Sequence, residues 1–143
     1  MDKELAVQSL TDTMAKFTAY IGKRLPKDVK SKLIELKTLE TNPLAKSIYD
    51  SMDENQEAAD RLNRPSCQDT GVIQYFVEAG AHFPLLGELQ EILREATEEA
   101  TRTGPLRHNA VETFDEKNTG TNTGTQIPWL DWRIVPEQDT CTI

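Results

Sequence analysis

The sequence has 143 residues and a mass of 16.1 kDa, the size of one ordinary domain. It is 37% hydrophobic and 28% charged, which is enough apolar content for a core and is not typical of a disordered chain. The net charge of -8 argues against a general binder of nucleic acid or anionic membranes, because such a protein needs a basic surface. No long apolar run predicts a membrane-spanning helix, and the two cysteines are too few for a disulfide-rich secreted scaffold. Since the charged N-terminus also lacks the pattern of a signal peptide, we expect a cytoplasmic protein.

The net negative charge comes entirely from the second half of the chain. Residues 1–64 contain 11 basic and 11 acidic residues, whereas residues 65–143 contain 5 basic and 13 acidic residues. Such an asymmetry often separates parts that differ in their interactions. We therefore predict a helical N-terminal region over residues 1–64 and a second, α/β region that begins at residue 65.

Three helices are predicted in the first half. The first is indicated by apolar residues at helical spacing: Val7, Leu10, Met14, Phe17 and Ile21. Pro26 suits the first turn of a second helix, whose expected buried face includes Val29, Leu33 and Leu36. Asn42 followed by Pro43 is typical of a capped helix start. The stripe expected to be buried on this third helix is Ile48, Met52, Ala59 and Leu62.

In the second half the apolar pattern changes to that of an α/β fold. The β-branched and aromatic run at 71–77 lies between glycines and predicts a strand, and alternation over 130–135 predicts another. Between them, a fourth helix from Leu85 is expected to end at Gly104, where glycine permits a left-handed cap. Its apolar stripe is Leu89, Ile92, Leu93, Ala96 and Ala100.

These elements predict a mixed α/β (α+β) fold, in which N-terminal helices pack on the start of an incomplete mixed sheet. Two strands alone make a sheet of poor stability. We therefore expect the sequence to be the front part of a longer protein, the alternative being a complete small domain that ends with its last strand.

The polar segment at 63–71 is the first candidate for chemistry. Proline and glycine give it an irregular backbone, and it carries Cys67 followed by an amide, a carboxylate and a hydroxyl. From composition alone, such a cysteine is most often a small buried hydrophobe. As a catalytic thiolate, Cys67 would need His82 or His108 as its base. A zinc site would need Cys67 together with Cys141 and both histidines, but these residues lack the spacing of a known zinc motif.

Two later segments are further candidates. At 105–110, Arg107 offers a guanidinium suited to bidentate binding of a carboxylate, although a surface ion pair is an alternative. The run at 118–124 is rich in turn-forming and hydroxyl residues, and without a Gly-Lys-Ser/Thr sequence it is not a phosphate-binding loop, so composition favours a flexible loop. Four glutamates of the fourth helix predict a solvated face rather than a di-iron site: Glu91, Glu95, Glu98 and Glu99.

Four segments together resemble one known family. Residues 64–71, which contain Cys-Gln-Asp-Thr-Gly, are followed by 106–110 and 118–122 in the order expected of the iron–sulfur hydro-lyases. Residues 84–89 and the preceding helices are similar to the same family, which includes the class I fumarases and the α subunits of L(+)-tartrate dehydratases. The resemblance extends over essentially all 143 residues and is carried most specifically by the Cys-Gln-Asp-Thr-Gly element.

The resemblance implies a function and a site. It implies a hydro-lyase α subunit with a [4Fe–4S] cluster held by three cysteines, of which Cys67 would be one and the other two would follow residue 143. It also implies that Gln68, Asp69 and Arg107 bind a hydroxy-dicarboxylate such as L(+)-tartrate, which is dehydrated to oxaloacetate, and that a β subunit completes the enzyme. In this case residues 65–143 begin the cluster domain and the fragment alone is inactive. The alternative from a different class is a non-catalytic helical interaction module with a buried structural cysteine.

Overall fold

A computed structural model of the chain describes residues 2–66 and 71–143. Its helices and strands, in chain order, are α1 (Lys3–Ile21), α2 (Lys27–Leu39), α3 (Pro43–Leu62), β1 (Gln74–Gly80), α4 (Leu89–Thr103), β2 (Trp129–Val135) and β3 (Cys141–Thr142). The three strands form one mixed sheet of order β2-β1-β3. The predicted mixed α/β class is therefore confirmed.

The sheet contains one parallel and one antiparallel pair. Strand β2 runs parallel to β1, with Gln74 beside Trp129 and Gly80 beside Val135, and the short β3 pairs antiparallel to the end of β1. The strand predicted over 71–77 is found in part, because β1 begins at Gln74 and ends at Gly80. A Cβ atom at Gly80 would overlap the carbonyl of Gln138, so only glycine lets the chain that leads to β3 cross there.

The core lies between one face of the sheet, α1 and α4. Along β1, the buried side chains of Tyr75, Val77 and Ala79 alternate with exposed ones, as a strand covered on one face requires. The apolar stripe predicted for α4 is buried throughout, although this helix begins at Leu89 rather than Leu85, since the preceding residues form turns.

Helix α1 agrees only in part with the predicted stripe, of which Met14 is buried and Leu10 is partly buried against the core. Phe17 and Ile21 are about half exposed, and the buried residues are Thr11, Met14, Ala15 and Thr18. The small side chains let α1 approach α4 closely. At Gly104, a Cβ atom would lie 2.6 Å from the Cβ of Ala19. Gly104 is extended (φ -97°, ψ 173°) rather than left-handed, so close approach and not a cap explains the glycine.

Helices α2 and α3 contact each other but have no extensive packing against the sheet or α4. Asn42 caps α3 as predicted, because its side chain accepts a hydrogen bond from the Leu44 amide at 2.9 Å and Pro43 follows it. The predicted buried face of α2 is wrong, because α2 has no buried residue, and of the stripe predicted for α3 Ala59 alone is buried. The apolar residues of the pair border an open groove. No helix among the described residues has both the length and the apolar character needed to cross a membrane.

Candidate functional site

A cavity of about 420 Å³ is lined by the end of α1, the start of β1 and the segment that follows α4. Pro65 and Gly71 line it, and so does Arg107 from the segment that follows α4. Three of the predicted site residues, Cys67, Gln68 and Asp69, lie outside the described residues. The structure thus brings the two flanks of the Cys-Gln-Asp-Thr segment and Arg107, 36 positions later than Gly71, to one cavity.

Arg107 is exposed and has no ion pair with any residue in 2–66 or 71–143. By contrast, Arg94 and Arg102 of α4 pair with glutamates of their own helix, and Arg133 pairs with Glu78 on the sheet. The surface ion pair that was the alternative for Arg107 is therefore absent from the described part of the chain. Its guanidinium is available to a carboxylate ligand.

The backbone from Arg107 to Ala110 is held by one buried side chain, Asn122. The Oδ1 atom of Asn122 accepts from the amides of Asn109 at 2.8 Å and Ala110 at 3.4 Å. Its Nδ2 atom donates to the carbonyl of Arg107 at 2.8 Å and to Oγ1 of Thr101 at 3.2 Å. Since backbone amides only donate and carbonyls only accept, the network itself determines the orientation of this amide group.

The Arg107 segment is also joined to the segment that follows Thr70. The Nδ2 atom of Asn109 donates a hydrogen bond to the carbonyl of Gly71 at 3.2 Å. The backbone amide of Asn109 thus donates to Asn122, and its side-chain amide donates to Gly71. These two hydrogen bonds hold together two segments that are far apart in the sequence and that both line the cavity.

The Thr/Asn/Gly run at 118–124 is folded against the protein. Asn122 and Thr123 are buried, and Thr123 donates to Oε1 of Glu98 at 2.9 Å. Asn118 donates to the His108 carbonyl at 2.5 Å and accepts from the Gly120 amide at 2.8 Å. Composition favoured a flexible loop, because turn-forming residues and hydroxyls also suit exposed loops. Here hydrogen bonds fold the run against α4 and residues 108–110 instead.

The glutamate-rich face of α4 agrees in part with the solvated face that was predicted. Glu91 and Glu99 make ion pairs with arginines of their own helix, as exposed helical charges do. Glu98 also pairs with Arg94 at 3.4 Å, and in addition it accepts the Thr123 hydroxyl and so contacts the loop at 118–124. Glu98 is thus the glutamate of this face that contacts a loop as well as its own helix.

A metal site is not formed by the described residues. In 2–66 and 71–143 there is no group of three or more His, Cys, Asp or Glu side chains that could hold a metal ion. The zinc alternative, which needed Cys141 together with His82 and His108, is therefore not supported. Cys141 lies half-buried in β3 with a free thiol, and burial raises the pKa of that thiol. The described part of the chain does not by itself fit an iron–sulfur cluster.

Asn122 is the residue that pattern analysis did not single out as functional. Its backbone is left-handed (φ 58°), a conformation that asparagine tolerates better than most residues, and it is buried in a polar run. The sequence signal was an asparagine among turn-forming residues, which is common in surface loops and does not specify a buried contact.

Comparison with known proteins identifies the family of the chain. The family model described as fumarate hydratase (Fumerase) matches residues 11–143, and the chain belongs to this family. It is 55% identical over 142 residues to a protein of Escherichia coli (strain K12) named L(+)-tartrate dehydratase subunit alpha. That alignment covers 99% of this chain and 47% of the relative, so the chain spans about half the length of the curated relatives that it matches.

Further relatives carry a similar name. A protein of Methanocaldococcus jannaschii, provisionally named as the same subunit, is 33% identical over 113 residues, which are 75% of this chain and 38% of that protein. A protein of Escherichia coli O157:H7 with the tartrate dehydratase name is 56% identical over 142 residues. The predicted membership of this family is thus confirmed.

Proposed function

We propose that the chain is part of the α subunit of an iron–sulfur hydro-lyase that dehydrates L(+)-tartrate to oxaloacetate. The single observation that supports this most directly is the cavity where Arg107 meets the flanks of the Cys67–Thr70 segment. The names of the relatives favour tartrate over other hydroxy-dicarboxylates, and they favour an enzyme subunit over a helical interaction module. We place the enzyme in the cytoplasm, with a β subunit as its partner.

The proposed roles of the residues follow their chemistry. Cys67 supplies one thiolate to a [4Fe–4S] cluster, whose other two cysteine ligands follow residue 143, and Gln68 and Asp69 contact the substrate. When bound, the cluster supplies an iron with an open coordination position, a Lewis acid that weakens the C–O bond of the substrate. Residues 65–143 then form the beginning of the cluster domain after the helical region 1–64.

Arg107 binds one carboxylate of the substrate. Its guanidinium presents parallel N–H donors that match the two oxygens of a carboxylate, and no described carboxylate competes for it. The chain has a net charge of -8, which repels a dianion at long range. Because salt screens charges beyond about 8–10 Å, a direct contact with Arg107 outweighs this distant repulsion.

Cysteine variants of the full-length α chain test the cluster assignment. The chain is assembled with its β subunit without air, supplied with iron and sulfide, and compared by visible absorbance and by oxaloacetate formation from L(+)-tartrate. We expect Cys67→Ser to lose both signals. Cys141→Ser is the matched control and should keep both, since Cys141 is a thiol at the sheet edge. We expect residues 1–143 alone to show neither signal. Equal absorbance and turnover in wild type and Cys67→Ser would refute the assignment.

Arginine variants test the substrate contact. Removing a charge-assisted hydrogen-bond pair costs about 1.5–3 kcal/mol, so Arg107→Ala should raise KM roughly ten- to a hundredfold with the cluster absorbance intact. Arg102→Ala removes the same charge from the exposed face of α4 and should leave KM within about twofold. An unchanged KM in Arg107→Ala, or the same rise in both variants, would contradict the role of Arg107.

A further inference from the structure

We infer that Asn122 is a positioning residue: its side-chain amide holds the Arg107 segment in place and, through Asn109, joins it to the chain at Gly71. The effect on turnover rests on the proposed function. The structural part of the inference does not, because it concerns contacts within this chain.

The amide of Asn122 is fully used. An asparagine side chain can accept two hydrogen bonds at Oδ1 and donate two at Nδ2. Here Oδ1 accepts from the Asn109 and Ala110 amides, and Nδ2 donates to the Arg107 carbonyl and to Thr101 Oγ1. Three of these four contacts fall on the backbone of residues 107–110, so the side chain determines where that segment lies relative to α4.

The Thr101 contact connects Asn122 to a rigid element. Thr101 is buried on α4, and its hydroxyl donates to the carbonyl of Thr97 at 2.7 Å, one turn earlier. The proton of Thr101 is thereby used, which leaves its oxygen to accept from Asn122. The position of the Arg107 segment is therefore set by a helix in the core rather than by another loop.

Other residue types do not fit the position. The left-handed backbone of residue 122 (φ 58°) strains most side chains, and glycine and asparagine are the types that adopt it readily. A leucine of similar volume offers no hydrogen bonds, and it would leave the buried Ala110 amide unsatisfied. Asn122→Gly is therefore the informative substitution, because it removes the amide without adding backbone strain.

Hydrogen exchange of residues 1–143 tests the structural part. Among residues 2–66 and 71–143, the acceptor of the Asn109 amide is Oδ1 of Asn122, so Asn122→Gly should speed exchange of this amide by about tenfold, the equivalent of one net hydrogen bond. The Gly124 amide, which donates to the Ile127 carbonyl at 3.0 Å and does not contact residues 107–110, is the internal control and should keep its protection if the loop stays folded. Thr123→Val is the matched variant, since it removes the hydrogen bond to Glu98 and leaves Asn122 in place.

Three outcomes of the exchange experiment would overturn the inference. One is unchanged exchange of the Asn109 amide in Asn122→Gly. Another is equally fast exchange in Thr123→Val. The third is loss of protection at Gly124 as well, because the amide of Asn122 would then support the whole loop rather than position the Arg107 segment.

Steady-state kinetics of the full-length α chain with its β subunit test the effect on turnover. Asn122→Gly should raise KM for L(+)-tartrate about tenfold with a smaller fall in kcat, because a misplaced Arg107 weakens binding of a carboxylate that remains bound through the reaction. Thr123→Val should leave both constants within about twofold. A fall in kcat with unchanged KM would contradict the positioning of Arg107. Absence of turnover in the wild type would refute the proposed function instead, while hydrogen exchange would still decide the structural part.

Discussion

The hydroxyl of Tyr75 is the centre of a buried polar contact between α1, β1 and α4. It lies 3.0 Å from Oγ1 of Thr18 and 3.1 Å from Oγ1 of Thr97. The proton of Thr97 is used toward the Leu93 carbonyl at 2.8 Å. Tyr75 therefore donates to Thr97 and accepts from Thr18. Removal of this hydroxyl should leave the Thr18 proton without a partner in a site where Thr18 is 2% exposed.

Tyr75→Phe should lower the free energy of unfolding by about 2 kcal/mol, because two hydrogen bonds of about 1 kcal/mol each are lost. Thr18→Val should cost about 1 kcal/mol, since Tyr75 keeps its contact with Thr97. The double variant should cost less than the sum of the two, because no donor is then left unsatisfied at Thr18. Urea unfolding followed by circular dichroism measures all three values at one pH.

Two results would refute this reasoning. A Tyr75→Phe variant within about 0.5 kcal/mol of wild type would mean that the hydroxyl contributes no net stability. Strict additivity in the double variant would mean that Thr18 and Tyr75 do not interact. If the dependence of the unfolding free energy on urea concentration changes in a variant, its denatured state has changed. Such a variant is compared with wild type by thermal unfolding instead.

Two further predictions concern helix packing and a surface ion pair. Gly104→Ala should destabilise the fold by about 1–3 kcal/mol, because its new methyl would meet that of Ala19 at 2.6 Å, whereas Gly87→Ala meets nothing within 4 Å and should be nearly neutral; equal melting temperatures would contradict the close approach. The hydrogen bond from Arg24 holds the pKa of Asp60 below its ordinary value. This pair therefore stabilises the fold at pH values above the ordinary pKa of an aspartate, and the stabilisation is lost as the pH falls through the lowered pKa of Asp60. Arg24→Gln should raise the Asp60 pKa in a nuclear magnetic resonance titration, and an unchanged pKa would exclude the ion pair in solution.

Helix α4 is the element that the sequence predicted best. Its apolar spacing placed Leu89, Leu93 and Ala96 on one face, and all three are fully buried. The reason is that α4 covers the sheet with a wide apolar face and exposes charged residues on the other. Local periodicity is sufficient where a helix has one large apolar partner.

The faces of the first three helices could not be predicted in the same way. In α1 the contact with α4 is made by small and hydroxyl side chains, which a search for large apolar residues overlooks. In α2 and α3 the periodicity is real, but the stripe borders an open groove, and Leu44 and Ile48 are more than half exposed. Periodicity indicates which face is apolar, and it does not indicate what covers that face.

The site was predictable as a set of segments and not as an arrangement. Residues 63–71 and Arg107 were singled out by the chemistry of their side chains and by family resemblance. Their proximity depends on Asn109 and Asn122, whose contacts span 38 and 13 positions of sequence. A single sequence does not specify such long-range polar contacts, because asparagine in a loop is compatible with many local structures.

The core and the candidate site share one continuous set of hydrogen bonds. Thr97 accepts the Tyr75 hydroxyl at its side chain and the Thr101 hydroxyl at its carbonyl, and the Thr101 oxygen accepts from Asn122. A polar path therefore leads from the sheet, along α4, to the backbone of Arg107. Such a path costs more to build than an apolar core, because each buried group must be satisfied. The advantage of the polar path is precise positioning. An apolar contact tolerates small shifts, whereas an amide that makes all of its hydrogen bonds fixes the position of the segment that it holds.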